Sequence, residues 1–274
     1  MKSKPRWYRK WDLDVPKEVV EEVVAKFGST PEKYANSRMA GPYTPPDSDF
    51  FVGKTLVFRG EDRVFTFQFT ALNELRFLEP GQEEKTCYCN VKTMDGEIFF
   101  VNHLVPGWAC SRQISLIADM KTGCATVCDA HIGTEHCNID VDREFFFGRL
   151  DGVGEGGELH GFTDEIVGRA VLWEYAPDVM KIKHMYISNL FYSYTAYTRF
   201  GAWMSTNPAD YVKIRDNKYL FSFVEERQAG LQALFLIDFD NYNDIGSFYG
   251  VGTDHITSAC VGAKGEPADI LTVY

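Results

Sequence analysis

The chain has 274 residues, of which 45% are hydrophobic and 24% charged. This balance is typical of a globular protein and excludes disordered, collagen-like and coiled-coil classes. The formal net charge is −11, so the basic surface by which proteins hold phosphate backbones is not expected, and neither is a nucleic-acid partner. No run of about 18 apolar residues predicts a membrane-spanning helix. The basic first ten residues lead into no apolar stretch of the secretory type, and we expect a cytoplasmic protein without membrane contact.

Residues 1–49 are predicted to form an N-terminal helical extension. Within it, residues 14–28 place valines at helical spacing, with Asp14 as the N-terminal cap and Gly28 as the C-terminal stop. The proline-rich residues 42–49 that follow predict a loop.

Residues 50–150 are predicted to form a first β-domain, because short apolar runs alternate there with turn residues. A spacing of about 8–12 residues between such runs is typical of antiparallel sandwiches and barrels. The predicted strands are 54–58, 63–69, 75–78, 85–91, 97–102, 111–118 and 123–128.

Residues 151–165 are predicted to be a linker, since five glycines fall within 151–161. No strand and helix flank these glycines, so they do not indicate a nucleotide-binding loop. Strand-like runs resume in a second domain, 166–274. These predicted strands are 169–175, 181–187, 190–197, 210–215, 218–225, 231–240 and 246–251.

The two halves contain similar runs in the same order. The similar pairs are 51–58 with 166–173, 91–100 with 212–221, and 115–119 with 235–238. Three similar pairs in one order predict a tandem duplication of a single β-domain.

The seven cysteines are interpreted as free thiols buried as small apolar side chains, because the count is odd and no secretory signal is predicted. The best alternative is a metal site formed by Cys128, His131, His136 and Cys137. That set lacks the usual pair of cysteines two residues apart, so we expect neither a metal nor another cofactor.

Several runs of the second half resemble the C-terminal domain of the molybdenum cofactor biosynthesis protein F (MoaF) family. They are DYVKIRDNKYLFSFVE at 210–225, LFLID at 234–238, GSFYG at 246–250, Gly168, HMY at 184–186 and VGA at 261–263. Residues 51–150 resemble the other domain of that family less sharply.

Two runs also resemble, more distantly, the phenolic acid decarboxylases, namely GRAVLWEY at 168–175 and SFVE at 222–225. That resemblance implies a calycin, or lipocalin-like, barrel that holds its substrate inside and uses no cofactor. It places Trp173 and Tyr175 where the family has two carboxylate-binding tyrosines, and Glu225 where it has the acid. Arg199 is the nearest candidate for that family's arginine. The fold that we predict is all-β, with two tandem lipocalin-like antiparallel barrels after the helical extension.

Strand alternation places Glu225 on one face with Tyr219, Phe221 and Phe223. Glu225 is therefore either a carboxylate at the barrel rim or an acid in a cavity, where burial would raise its pKa. We predict Glu225 and Tyr175 as catalytic residues. The predicted ligand-binding residues are Trp173, His184, Tyr186, Tyr194, Tyr197, Arg199 and Phe223. In the first domain, Asn102 or His103 would be the polar group that corresponds to Glu225.

Two functions remain open from the sequence. The first is a cofactor-free lyase or isomerase that uses acid–base chemistry on a small aromatic or carboxylated molecule. The second is a non-catalytic ligand-binding protein associated with molybdenum cofactor metabolism. The partner expected in both cases is a small, aromatic molecule, and the sequence is compatible with a homodimer.

Overall fold

The computed structural model describes residues 41–105, 112–133, 140–199, 201–225, 231–251 and 256–269. In these ranges the chain forms seventeen strands and no helix, and so no helix there could span a membrane. The predicted helix at 14–28 lies outside the described residues. Residues 41–49 are not helical, in agreement with the loop predicted at 42–49.

The first eight strands form a closed antiparallel barrel in which each strand pairs with the next and the last pairs with the first. Their bounds are β1 Thr55–Gly60, β2 Val64–Ala71, β3 Glu74–Leu78, β4 Lys85–Thr93, β5 Ile98–Leu104, β6 Arg112–Asp119, β7 Cys124–Ile132 and β8 Val141–Leu150. Phenylalanine side chains at alternating positions along the strands fill much of the interior.

A second closed eight-stranded barrel follows, with one short extra strand on its outside. The strands are β9 Gly161–Phe162, β10 Ala170–Ala176, β11 Met180–Met185, β12 Phe191–Thr198, β13 Gly201–Arg215, β14 Lys218–Glu225, β15 Leu231–Asp238, β16 Asn243–Val251 and β17 Ile256–Pro267. Strands β10–β17 close the barrel, and β9 pairs with β13 from within the predicted linker. The prediction of two antiparallel barrels in tandem is therefore confirmed.

The strands of the two barrels pair in the same register, so each residue of one barrel has an equivalent in the other. Matching Phe58 of β1 to Trp173 of β10 makes their partners on the next strand, Phe65 and Ile182, equivalent. The same matching can be carried from each strand to its neighbour around both barrels. When it returns to the first strand through β8 and β17, the equivalent residues still agree. The inward pairs produced in this way are Phe58 and Trp173, Phe67 and His184, Phe77 and Tyr194, Val91 and Tyr211, Phe99 and Tyr219, Ala118 and Ile237, and Ala125 and Asp244.

The register corrects one of the sequence matches. Residues 91–100 and 212–221 are similar in sequence, but Val91 lies in the core of the first barrel whereas Val212 lies between the barrels. A shift of one residue moves a side chain to the other face of a strand, so the sequence match is displaced by one residue from the structural equivalence. The counterpart of Glu225 is consequently Val105 rather than His103.

The barrels pack against each other through equivalent faces. All residues of β5, β6, β14 and β15 are buried, because one face of each strand lines a barrel and the other faces the neighbouring barrel. Gln113 Nε2 donates to Ser247 Oγ across the interface at 3.4 Å, and its counterpart Gln232 donates to Cys128 Sγ at 3.4 Å. The interface therefore has the reciprocal contacts of a two-fold symmetric dimer, within one chain.

A non-helical segment, residues 41–50, runs along both barrels. The Tyr43 hydroxyl donates to Glu174 Oε1 on the second barrel at 2.5 Å, and Asp47 forms an ion pair with Lys92 on the first at 3.0 Å. This segment thus ties the two barrels together from outside.

Candidate functional site

The interior of the second barrel is lined by aromatic side chains that carry polar atoms. Strand β10 contributes Trp173 and Tyr175, whereas the first barrel fills its interior mainly with phenylalanine. Gly265 on β17 leaves the space that the Trp173 indole occupies, since a Cβ at this position would overlap its ring. The other polar-tipped aromatic residues of this core are Tyr186, Tyr192, Tyr194, Tyr211 and Tyr219. His184 packs edge-to-face against Tyr186 and Tyr192.

Tyr175 and Asp244 form a buried hydrogen-bonded pair. The Tyr175 hydroxyl donates to Asp244 Oδ2 at 2.8 Å, and Asp244 is only 2% exposed. Burial raises the pKa of Asp244 to about 7, although the hydrogen bonds from Tyr175 and from the Ala263 backbone oppose this shift. Burial, followed by the charge of Asp244, raises the pKa of Tyr175 well above its usual value. A carboxyl group that titrates near neutral pH beside a hydroxyl can hold or release a proton.

Asp244 was not predicted from the sequence. It lies in the polar run Asp240–Asp244, which resembles a turn in the sequence. In the structure, β16 begins at Asn243, so Asp244 is the second residue of a strand. Strand alternation that places Asp244 with Gly246 and Phe248 was the one signal that could have identified it.

Glu225 faces the same interior. Of the two alternatives that the sequence left open, a carboxylate at the barrel rim or an inward-facing acid, this position agrees with the second. It is 7% exposed and ends the inward row of Tyr219, Phe221 and Phe223 on β14. The pKa of Tyr192 is raised first by burial and then by the charge of Glu225, and Tyr192 in turn contributes to the raised pKa of Tyr175. Glu225 and Tyr175 therefore share one interior through Tyr192, while the hydrogen bond of Tyr175 goes to Asp244.

Several polar atoms in this interior are buried without a partner at full hydrogen-bond geometry. They are Trp173 Nε1, His184 Nδ1, the Tyr186 and Tyr192 hydroxyls, and Asp244 Oδ1. Weaker hydrogen bonds link Tyr186 with Trp173 and Tyr192 with Asn207, and each lowers the pKa of its tyrosine against the larger effect of burial. Each such atom costs about 1–3 kcal/mol unless water or a ligand bonds to it. Burial lowers the pKa of His184 to about 3, so its ring is neutral and can accept or donate a hydrogen bond. The set can bind the polar edges of a flat molecule.

Two other predicted residues also lie in this core. Phe223 contacts Tyr192, with ring centroids 4.5 Å apart, and Tyr194 accepts a hydrogen bond from Trp203 Nε1 at 3.4 Å. The structure does not bring Tyr197 and Arg199 into the interior. Tyr197 is half-buried on the opposite face of β12 from Tyr192 and Tyr194, and Arg199 is exposed beyond the end of that strand.

The polar positions in the interior of the second barrel have equivalents in the first barrel. The polar residues of the second barrel correspond there to apolar ones: Trp173 to Phe58, Tyr175 to Gly60, His184 to Phe67, Tyr186 to Phe69, Tyr192 to Leu75, Glu225 to Val105 and Asp244 to Ala125. The same barrel geometry can thus be filled by apolar side chains at these positions.

The two polar candidates of the first barrel point in opposite directions. His103 faces the interior against the Phe77 ring, with centroids 4.8 Å apart, and burial lowers its pKa to about 4. Asn102 faces the other barrel, where it accepts a hydrogen bond from Ser115 at 2.8 Å. The two residues therefore do not form one site.

Five cysteines are free and buried in the described residues, namely Cys87, Cys89, Cys124, Cys128 and Cys260. Burial raises the pKa of Cys89, Cys128 and Cys260 to about 12, so these thiols stay protonated and unreactive. Cys110, His136 and Cys137 lie outside the described residues, and within those residues no three His, Cys, Asp or Glu side chains are grouped as metal ligands.

A groove of about 680 Å³ lies outside the barrel interiors, where β9 and β13 of the second barrel meet the β4–β5 and β6–β7 turns of the first. Its cationic side chains are paired: Lys213 with Glu165 at 2.8 Å and Arg215 with Glu97 at 2.7 Å. The groove is therefore lined by ion pairs.

The second barrel also matches a known domain. A family model of the MoaF C-terminal domain matches residues 160–270, a range that contains β9–β17. The match covers the second barrel and no residue of the first. The resemblance inferred from the sequence runs is thereby confirmed, and the matched range contains Tyr175, Glu225 and Asp244. No curated protein matches the chain.

Proposed function

We propose that the second barrel binds a small planar, aromatic molecule in its interior. The observation that carries the proposal is the difference between the two barrels at equivalent positions. Seven inward positions that are apolar in the first barrel carry polar groups in the second, and several of their atoms have no partner at full hydrogen-bond geometry.

Stability alone does not account for these polar groups. A buried polar atom without a hydrogen bond destabilises the fold, and the first barrel shows that phenylalanine, leucine and alanine fill the same positions. A ligand with polar edges would provide the missing partners, and the surrounding rings would hold its flat faces.

We further propose that the barrel catalyses a cofactor-independent lyase or isomerase reaction by acid–base chemistry. Asp244, with a pKa of about 7, would exchange a proton with the ligand, and the Tyr175 hydroxyl would stabilise the charge that develops. Glu225, predicted from the sequence as the acid, would serve as a second acid at the other end of the polar row.

A non-catalytic accessory role in molybdenum cofactor metabolism is the second candidate. The resemblance to the molybdenum cofactor biosynthesis protein F family motivates it, and the match of the MoaF C-terminal domain to residues 160–270 supports that resemblance. The two candidates differ for the Asp244→Asn variant: a general acid contributes about 10²–10⁴ to a rate, whereas a binding protein has no turnover to lose.

The binding proposal can be tested by replacing two residues with their counterparts in the first barrel, His184→Phe and Tyr186→Phe. We expect each variant to bind about tenfold more weakly to the compounds that stabilise the wild type. The unligated variants should be as stable as the wild type or about 1 kcal/mol more stable, because each removes a buried polar atom that lacks a partner at full hydrogen-bond geometry. The measurement is a thermal-shift screen with phenolic and pterin-like compounds, followed by titration.

Tyr197→Phe is the matched control, since it removes a hydroxyl from the opposite face of β12. It should bind like the wild type. Unchanged binding by both interior variants would show that the interior is not the binding site.

A further inference from the structure

We propose that the segment 41–50 holds the Tyr175–Asp244 pair in place from outside the second barrel, with Gly41 and Tyr43 as positioning residues. The inference rests on the proposed acid–base function and deepens it, because it names what fixes the hydrogen bond between the two groups. The segment precedes the first barrel in the chain, so a part of the chain that leads into one barrel acts on the interior of the other.

Gly41 lies against the backbone of the residue whose hydroxyl binds Asp244. A Cβ built on Gly41 would lie 2.5 Å from the Tyr175 carbonyl oxygen, so this approach needs glycine. The pairing of β10 with β11 shifts register at Tyr175, and its pairing with β17 ends one residue earlier, at Glu174. The segment therefore supports Tyr175 where the regular pairing of its strand ends.

A second contact lies next to the other donor to Asp244, which is the backbone N–H of Ala263 on β17. A Cβ built on the preceding residue, Gly262, would lie 2.6 Å from the Tyr43 carbonyl oxygen. The hydrogen bonds that Asp244 accepts from β10 and β17 therefore both start next to backbone that the segment contacts.

Side chains and a turn fix the segment at this place. The Tyr43 hydroxyl donates to Glu174 Oε1 at 2.5 Å, and the Lys264 ammonium lies 5.3 Å from the centre of the Tyr43 ring. Thr44 N donates to the Gly41 carbonyl at 3.1 Å, and Gly41 N donates to Thr44 Oγ1 at 3.2 Å. Tyr43 and this turn together set the position of Gly41 on the barrel wall.

A segment with an equivalent course precedes the second barrel. Ser48 N donates to the Val91 carbonyl at 2.7 Å, and Thr163 N donates at 3.0 Å to the carbonyl of Tyr211, the counterpart of Val91. Residues 156–165 are thus the counterpart of residues 41–50, and each segment contacts the other barrel before it enters its own.

The two segments approach the wall of the other barrel differently. Phe162 of the second segment contacts the Phe147 ring on β8, with centroids 5.2 Å apart. The residue equivalent to Phe147 in the second barrel is Gly262, so there the backbone of Tyr43 reaches the strand itself. Close backbone support therefore occurs on the barrel that contains the buried polar pair.

The pair is sensitive to such support because its hydrogen bond joins two strands, β10 and β16, that are separated by β17. Hydrogen bonds weaken steeply when their geometry is disturbed. The bond from Tyr175 lowers the pKa of Asp244 against burial, so weakening it raises that pKa. The other ionisable group that interacts with Asp244 is Tyr186, which stays uncharged because burial raises its pKa.

The test is an NMR titration of the Asp244 carboxyl carbon in the ligand-free full chain. Tyr175→Phe removes the hydrogen bond and should raise the pKa of Asp244 by about 1–2. Gly41→Ala should raise this pKa by at least about 0.5, because the added Cβ displaces the Tyr175 backbone. In the Tyr175→Phe background, Gly41→Ala should change the pKa by less than about 0.3, since the bond through which it acts is already absent.

Gly154→Ala is the matched control. Its Cβ would overlap the backbone of Gly123 in the first barrel, so it adds the same kind of clash in the other barrel. It should lower stability and leave the pKa of Asp244 unchanged. Tyr43→Phe is a milder second variant, which loses only the bond to Glu174 and should raise the pKa by less than Gly41→Ala does.

An unchanged or lowered pKa in Gly41→Ala and Tyr43→Phe would overturn the inference, and so would an equal rise in Gly154→Ala. A rise caused by Gly41→Ala that persists undiminished in the Tyr175→Phe background would overturn it as well. The measurement uses no ligand, so it separates the inference from the proposed function. The predicted shifts in a protein that binds and converts no compound would leave the inference standing alone, and absent shifts in a protein that does bind would remove the inference alone.

Discussion

Asp244 has an environment that differs from that of an ordinary surface carboxylate. It lies inside the second barrel, where burial raises its pKa to about 7 from a usual value of 3.8. The ionisable groups that interact with it are Tyr175 and Tyr186, and burial raises the pKa of both hydroxyls above the usual value. Neither of these groups titrates between about pH 5 and about pH 8.

The raised pKa of Asp244 predicts a pH-dependent effect of Asp244→Asn. The folded state prefers the protonated acid, so the wild type is most stable below about pH 4 and loses stability as the pH rises through about 7. Asparagine has no such loss. We expect the melting temperature of the variant, relative to the wild type, to rise by at least about 2 °C between about pH 5 and about pH 8. A difference that is constant across this range would contradict the shifted pKa.

At the scale of elements, the glycine-rich segment after β8 is held in place rather than extended as a free linker. Glu155 N donates to the Lys121 carbonyl at 3.0 Å, and Gly156 N donates to the Thr122 carbonyl at 3.1 Å. Gly154 packs on the backbone of Gly123 in the β6–β7 turn so closely that a Cβ would overlap it. This contact needs glycine on both sides.

Gly154→Ala should therefore destabilise the protein more than Gly156→Ala does. Both residues have positive φ, 74° and 89°, so both substitutions carry a similar backbone strain of about 1 kcal/mol. Only Gly154→Ala adds a backbone clash, since the space around Gly156 is open. We expect a further loss of about 1–3 kcal/mol in the free energy of unfolding, measured with denaturant. Equal losses would show that the segment can move away from the turn.

At the scale of the whole molecule, the two barrels form one unit with a shared apolar interface. Phe100 and Ile117 of the first barrel and their counterparts Leu220 and Leu236 of the second belong to one cluster. Arg215 adds a charged contact to the fully buried Asp119 at 3.0 Å. The face that one barrel would otherwise expose is therefore covered by its equivalent.

Leu236→Ala tests this interface. It should lower the free energy of unfolding by about 2–5 kcal/mol, because it leaves a cavity between the barrels. Met204→Ala is the control, since Met204 is 60% exposed on the outside of the second barrel and should change stability by less than about 0.5 kcal/mol. If both variants unfold at the same denaturant concentration, Leu236 does not stabilise the interface.

The sequence by itself determined the all-β class, the two-barrel order and the inward row that ends in Glu225. These features depend on alternation within a strand and on turn residues between strands, which are local signals. The closing strands β8 and β17 were not predicted, because charged residues in β8 and glycines in β17 interrupt the apolar pattern.

Only the tertiary structure decided which residues meet inside the second barrel. Tyr175 bonds to Asp244, 69 residues away along the chain, because β17 brings β10 and β16 onto adjoining parts of one closed wall. Tyr197 and Arg199 share the aromatic and basic character of a binding residue, yet one lies on the opposite face of β12 and the other beyond its end. The register of non-local strand pairing sets the partners across a barrel, and no local pattern encodes that register.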